Sequence, residues 1–106
     1  MRMTIRSREE LQALLEEIME SDHVYFQPPE SLKIKYPCII YEIKRVHNQY
    51  ANNDIYKQDH FYQLILVDSN PDSVYFSKLC KIPECRFSNY YVSDNLNHYV
   101  FEIYTY

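Results

Sequence analysis

The chain contains no glycine in 106 residues. Every tight turn must therefore be made by residues that carry a Cβ. Asn and Asp tolerate the left-handed backbone region better than other non-glycine residues, and their side chains close local turns. The stretch HNQYANNDIYKQDH, from His47 to His60, is where this matters most. Asn52, Asn53 and Asp54 stand at its centre, Tyr50 and Tyr56 flank them, and strand-like apolar runs lead in and out. The spacing predicts a polar loop over 47–59 at the tip of a long hairpin, turned by Asn52-Asn53-Asp54. The missing glycine also excludes chemistry. Loops that cradle phosphates need glycine for close backbone approach, so the common nucleotide-binding motifs are ruled out.

A helical pattern opens the chain. In SREELQALLEEIMESD, the residues Leu11, Leu14, Leu15, Ile18 and Met19 make one apolar stripe on a 3.6-residue period. Ser7 and Glu10 fit a capping box, and Glu9 and Glu10 sit where the helix dipole is positive. Asp22-His23 is the expected end. Val24–Gln27 reads as a short edge strand stopped by Pro28-Pro29, and the segment to Pro37 as a connection. Cys38–Val46 is rich in β-branched and aromatic residues. Period two puts Ile39, Tyr41 and Ile43 on one face, and Ile40, Glu42 and Lys44 on the other. His60–Asp68 is apolar on both faces after Gln63, as a central strand would be. A second helix is expected over about 71–81, with Asn70 or Ser69 as cap and Pro71 in the first position. Strands Arg86–Val92 and Leu96–Tyr104, joined at Ser93-Asp94-Asn95, complete the chain.

The order helix, short strand, hairpin, helix, hairpin predicts an α+β fold. Its form is a two-layer sandwich, with an antiparallel sheet of about four to five strands and two helices on one face. Residues 1–106 make a single domain. The other sheet face is assigned Leu64, Leu66, Val100 and Tyr104. These residues would meet water in a monomer, which points to an interaction surface and a homo-oligomer.

Chemistry is harder to find. Net charge is -4, so no broad basic field attracts nucleic acid; Lys33-Ile34-Lys35 and Lys44-Arg45 are the basic clusters. The 12 tyrosines suit half-buried strand faces or a shared interface. No apolar run is long enough to span a membrane, and the N-terminus lacks the pattern of a signal peptide. Cys38, Cys80 and Cys85 form no CxxC pair, and the four histidines form no ligand motif, so no metal site or cofactor is expected. An odd cysteine count without a secretory signal suits reduced thiols. Glu42 and Glu102 are better placed for surface pairing with Lys44, Arg45 or Lys33 than for acid–base work. No catalytic residue is assigned, and an enzyme built on a Cys or His is the disfavoured alternative.

Several stretches in order carry a family resemblance. They are Leu32–Tyr41 (LKIKYPCIIY), Tyr50–Asp54 (YANND), Asp68–Ser73 (DSNPDS), and Cys85-Arg86-Phe87 through Asp94–Phe101 (DNLNHYVF). Over about residues 8–106 the chain resembles the tail completion proteins of long-tailed bacteriophages, also called tail terminator or head-to-tail joining proteins. The resemblance implies an α+β structural virion protein of the tail and neck, assembled in the host cytoplasm. It implies a hexameric ring on the last ring of the tail tube, ending tube polymerisation and presenting a surface to the head connector. The implied partners are other copies of the chain, the tail tube protein, and the head-tail connector or a head-closure protein. DNA would only pass through the lumen. Another neck component, such as a head-closure protein, is the nearest alternative, and a small nucleic-acid- or peptide-binding module a more distant one. The expected contact residues come from physical reasoning instead: Tyr50, Asn52, Asn53, Asp54, Ile55 and Tyr56 on the hairpin, and Leu64, Leu66, Val100 and Tyr104 on the sheet.

Overall fold

The computed structural model describes residues 5–105, and for residues 55–57 the backbone alone. The elements are α1 (Arg8–Met19), β1 (Val24–Phe26), β2 (Cys38–Ala51), β3 (Asp54–Asp68), α2 (Val74–Cys80), β4 (Cys85–Ser93) and β5 (Leu96–Thr105). The five strands form one sheet in the order β1-β2-β3-β5-β4. Strands β2 to β5 pair antiparallel, but β1 runs parallel to β2, so the sheet is mixed. The long connection over 27–37 explains the difference. It carries the chain back to start β2 in the same direction as β1, which a tight hairpin cannot do.

Both helices lie on one face. The stripe of α1 places Leu11, Leu15 and Met19 in the core, with Leu14 and Ile18 partly buried beside them. They meet Ile39 and Tyr41 of β2, Tyr62, Leu64 and Leu66 of β3, and Tyr99, Phe101 and Ile103 of β5. From α2, Leu79 joins the same cluster. The fold is therefore α+β in two layers, with one core between sheet and helices.

Capping explains the ends of α1. Ser7 Oγ accepts from the Glu10 N–H at 3.1 Å, while the Glu10 carboxylate accepts from the Arg6 N–H at 2.7 Å, one residue before the cap. At the C-terminus, Glu20 adopts φ 54°, ψ 33°. The Ser21 and Glu20 N–H groups donate back to the carbonyls of Glu16 and Glu17, the pattern that usually ends on glycine. The helix thus stops before Asp22-His23. A Cβ in the left-handed region costs about 1–2 kcal/mol. Glu20→Gly is therefore expected to stabilise the chain by about 1 kcal/mol, after the loss of unfolded-state entropy is subtracted. A urea unfolding midpoint reads the gain.

Helix α2 is shorter than the pattern predicts, beginning at Val74. The Asp68 carboxylate accepts from the Asn70 N–H at 3.0 Å, and the Asn70 side-chain oxygen accepts from the Asp72 N–H at 2.9 Å. These side-chain bonds hold 68–72 in successive turns, which compete with helix. Buried Asn97 fastens the same segment to β5, donating to the carbonyls of Asp68 at 3.1 Å and Ser69 at 3.3 Å.

The glycine problem is solved twice in the same way. Asn52 and Asn53 have φ 54° and 68°, and Asp94 and Asn95 have φ 53° and 63°. Each pair is a two-residue hairpin loop of the kind that needs positive φ at both central positions. Asp54 is already the first residue of β3.

The expected 47–59 loop is therefore paired strand, apart from that turn. The pairing runs from Cys38↔Val67 out to Ala51↔Asp54. Strand β1 pairs with β2 only at Ile39–Tyr41, and β5 reaches β3 only as far as His60. Beyond those points Val46–Ala51 and Asp54–Asp59 pair only with each other among the described residues, an arm of roughly 20 Å at 3.3 Å per residue. The molecule is elongated as a result, with a radius of gyration of 14.8 Å and extents of 52 × 35 × 23 Å. A compact domain of this length would have about 13 Å.

Candidate functional site

The sheet has a second face that no described helix covers. Strand registers place its residues side by side. Ile40 of β2, Ile65 of β3 and Val100 of β5 form one row across three strands. Glu42, Gln63 and Glu102 form the next row. Phe61 and Tyr104 stand opposite each other beyond them, with ring centroids 5.9 Å apart. The apolar members of these rows are half-buried, with Gln27 and Pro28 bordering Ile40 and Ile65, and the adjoining Cys38 and Val67 are buried. This is an apolar stripe with a polar margin.

A bulge sets the charges on that margin. The β2–β3 register shifts between Ile43 and Arg45, so Lys44 is the extra residue and Arg45 stands opposite Phe61. The expected alternation through Lys44 therefore breaks at that point. The Arg45 guanidinium lies 4.1 Å from the Phe61 ring centroid and 3.2 Å from the Glu102 carboxylate. Glu42 pairs with Lys44 at 3.8 Å. Both carboxylates thus take the surface partners the sequence assigns them. These pairs are partly exposed, and exposed ion pairs contribute little to stability. Their effect is to leave the margin with mixed charge. Glu102, Arg45 and Arg86 also line a depression of about 210 Å³ beside Phe61 and Tyr104.

The assigned contact residues divide. Val100 and Tyr104 lie on the open face as expected. Leu64 and Leu66 do not. Both point to the helices, opposite Phe101 and Tyr99, and both are 0% exposed. On an alternating strand the partner residues on the open face are Ile65 and Gln63. The sequence alone hides this, because β3 is apolar on both sides. On the arm, Tyr50 is 65% exposed, and Asn52, Asn53 and Asp54 are exposed at the turn. The side chains of Ile55 and Tyr56 lie outside the described residues. The Asn48 side-chain oxygen accepts from the Gln58 amide at 2.8 Å, a cross-strand bond on the arm.

The described tyrosines range from buried to exposed, with Tyr25, Tyr75 and Tyr104 half-buried between the extremes. Tyr41, Tyr62 and Tyr99 are buried in the core. Tyr41 donates to the Gln12 side-chain oxygen and accepts from Arg8 at 3.2 Å. Burial raises its pKa, and the neighbouring Arg8 opposes that shift. Tyr36, Tyr50, Tyr90 and Tyr91 are exposed. Tyr91 stacks on His98 at 4.6 Å, on the open face. Strand β4 carries a concentration of exposure that the sequence reading did not single out: Phe87, Tyr90, Tyr91 and Val92 are each more than 40% exposed. Its signal in the sequence is the run Tyr90-Tyr91-Val92, apolar on both faces of a strand that has too few neighbours to cover either.

No protein-family model and no curated protein matches the chain. Among the described residues, no three His, Cys, Asp or Glu side chains gather as a metal site, and no helix is long and apolar enough to cross a membrane.

The three cysteines are free and differ in reach. Burial raises Cys38 to about 12 and, with help from nearby Cys80, Cys85 to about 12. Cys80 is exposed at the end of α2. Thiol reagents attack the thiolate, and a shift from 9.0 to about 12 lowers its share at pH 8 by about 1,000-fold. One cysteine, Cys80, is therefore expected to react quickly with iodoacetamide in the native protein, and all three after denaturation. Peptide mass mapping of the label checks this.

Proposed function

We propose that the chain is a structural subunit that works by self-assembly, as a tail completion protein of a long-tailed bacteriophage. Six copies form a ring on the last ring of the tail tube, stop its growth and offer the head connector or a head-closure protein a surface to bind. The role is architectural rather than catalytic. DNA passes through the lumen, and a net charge of -4 per chain disfavours its being held there.

The observation that carries this reading is a small sheet that leaves two kinds of contact surface. One face carries an apolar stripe that no described helix covers, and the arm stands off the body with Tyr50 exposed on it. A two-stranded ribbon is marginal in water by itself, so such an arm is best explained by a partner that braces it. The resemblance of several ordered sequence stretches to the tail completion family gives the reading its specific form. A ring needs two different patches that meet head to tail, plus two faces for two different partners. Termination follows when one ring face imitates the next tube ring and the other does not.

The test is to mix the protein with the tail tube protein of the phage that encodes it and to image the tubes by electron microscopy. The expected result is short tubes that end in one additional ring. Tubes that grow to ordinary length with bare ends overturn the reading.

A further inference from the structure

The sheet ends at β4, and that end is open. Strand β4 pairs with β5 on one side, and no described strand lies on the other. Its nine residues are long for an unprotected edge, and they carry one charged side chain, Arg86. Natural edge strands are usually blunted by lysines, prolines, short length or a covering element. β4 has a bulge between Phe87 and Asn89, but beyond it Asn89–Ser93 pairs regularly and ends in Tyr90-Tyr91-Val92.

The hydrogen-bonding groups of that edge can be assigned. In a two-residue hairpin, the pair flanking the turn exchanges both backbone bonds. Here that pair is Ser93 and Leu96. Antiparallel pairs alternate, so the N–H and C=O of Val92 and Tyr90 point away from β5. They point to solvent and lack a described partner strand.

The opposite side of the sheet holds a second open edge. There β1 covers β2 only at Ile39–Tyr41. From Val46 to Ala51 the outer side of β2 is bare among the described residues. The two free edges are similar in length and lie on opposite sides of one sheet. We propose that β4 of one copy pairs with the outer edge of the β2 arm, Val46–Ala51, of the next copy, so that sheets join head to tail. The occupant is a second copy of this chain because the chain itself carries both halves of the contact. Joining opposite edges repeats the same step in one direction, which closes a ring or extends a filament. The proposal rests on the ring reading above for that head-to-tail sense. It explains two features at once: an apolar edge without protection, and an arm without a brace.

The test uses two measurements on the full chain. Val92→Pro removes an outward N–H at an edge position where proline is otherwise tolerated. Sedimentation is expected to show self-association weakened about tenfold or more, with the circular dichroism spectrum unchanged. The second measurement does not depend on how that variant folds. In a Cys80→Ser background, Val92→Cys protein is mixed with Asn48→Cys or Tyr50→Cys protein and oxidised. A disulfide-linked species containing one of each supports the pairing. Linking of Val92→Cys protein only to itself means that β4 edges pair about a twofold axis, and overturns it. A chain that stays monomeric at all concentrations, or that pairs at β4 only with added tube protein, also overturns it. Tubes capped equally by the Val92→Pro variant reject the edge contact and leave the terminator reading standing. Cross-linked rings that cap no tube do the reverse.

Discussion

Leu64→Ala is expected to destabilise the fold by about 2–5 kcal/mol, and Leu66→Ala by a similar amount. Both side chains are 0% exposed and stand in the middle of the central strand. Leu64 faces Phe101 across the sheet pairing, and the core that contains it also holds Leu11, Leu15 and Leu79 from the helices. Truncation there leaves a cavity lined by well-packed neighbours. At about 4–8 °C per kcal/mol for a domain near this size, the melting temperature should fall by about 10 °C or more. The contrast is the next residue. Ile65→Ala on the half-buried open face is expected to cost about 1 kcal/mol. Thermal melts of the two variants side by side decide the orientation of β3. Equal, small losses would place Leu64 away from the helices, and the open-face assignment would fall with it.

That orientation marks the limit of what the sequence reveals. The stripe of α1, its cap at Ser7 and the alternation of β5 were legible because each element has one wet side. Tyr99, Phe101 and Ile103 separate cleanly from His98, Val100, Glu102 and Tyr104. β3 has no such contrast, since Leu64, Ile65, Leu66 and Val67 are all apolar. A shift of one residue then exchanges the faces, and only pairing with β2 and β5 fixes it. The bulges at Lys44 and near Tyr50 re-aim side chains without any composition signal. The parallel partner of β1 depends on the path of the 27–37 connection rather than on its own three residues. The hairpin at Asn52-Asn53 was legible as a turn, because few other residues accept positive φ at adjacent positions. Its flanks were not legible as strand, since Asn48, Gln49, Gln58 and Asp59 look like loop residues. They are paired strand, in which Gln49 and Gln58 are exposed and Asn48 bonds across to Gln58.

Ile65→Lys should separate assembly from folding. Ile65 sits in the centre of the open face, between Ile40 and Val100 in the same row. In the isolated subunit a lysine can lay its stem along those two side chains and keep its ammonium in water. Glu42 and Glu102 stand on the adjacent row, so the new charge enters a site with acidic neighbours. The melting temperature should therefore stay within a few degrees of the parent protein, as for a typical surface change. In an assembled particle the outcome differs if this face is covered. The ammonium then loses water, and the row loses its apolar centre against the partner. Truncations at the centre of interfaces commonly cost 2 kcal/mol or more, about 30-fold in affinity. Sedimentation of the purified variant and a count of capped tubes measure the two possible losses separately. Loss of capping with self-association intact gives the open face to the tail tube or the connector. Loss of both gives it to the neighbouring subunit, next to the edge contact at β4. Full activity in both assays would show that the row of Ile40, Ile65 and Val100 faces water in the particle. The arm and the β4 edge would then be the surfaces that remain for every partner.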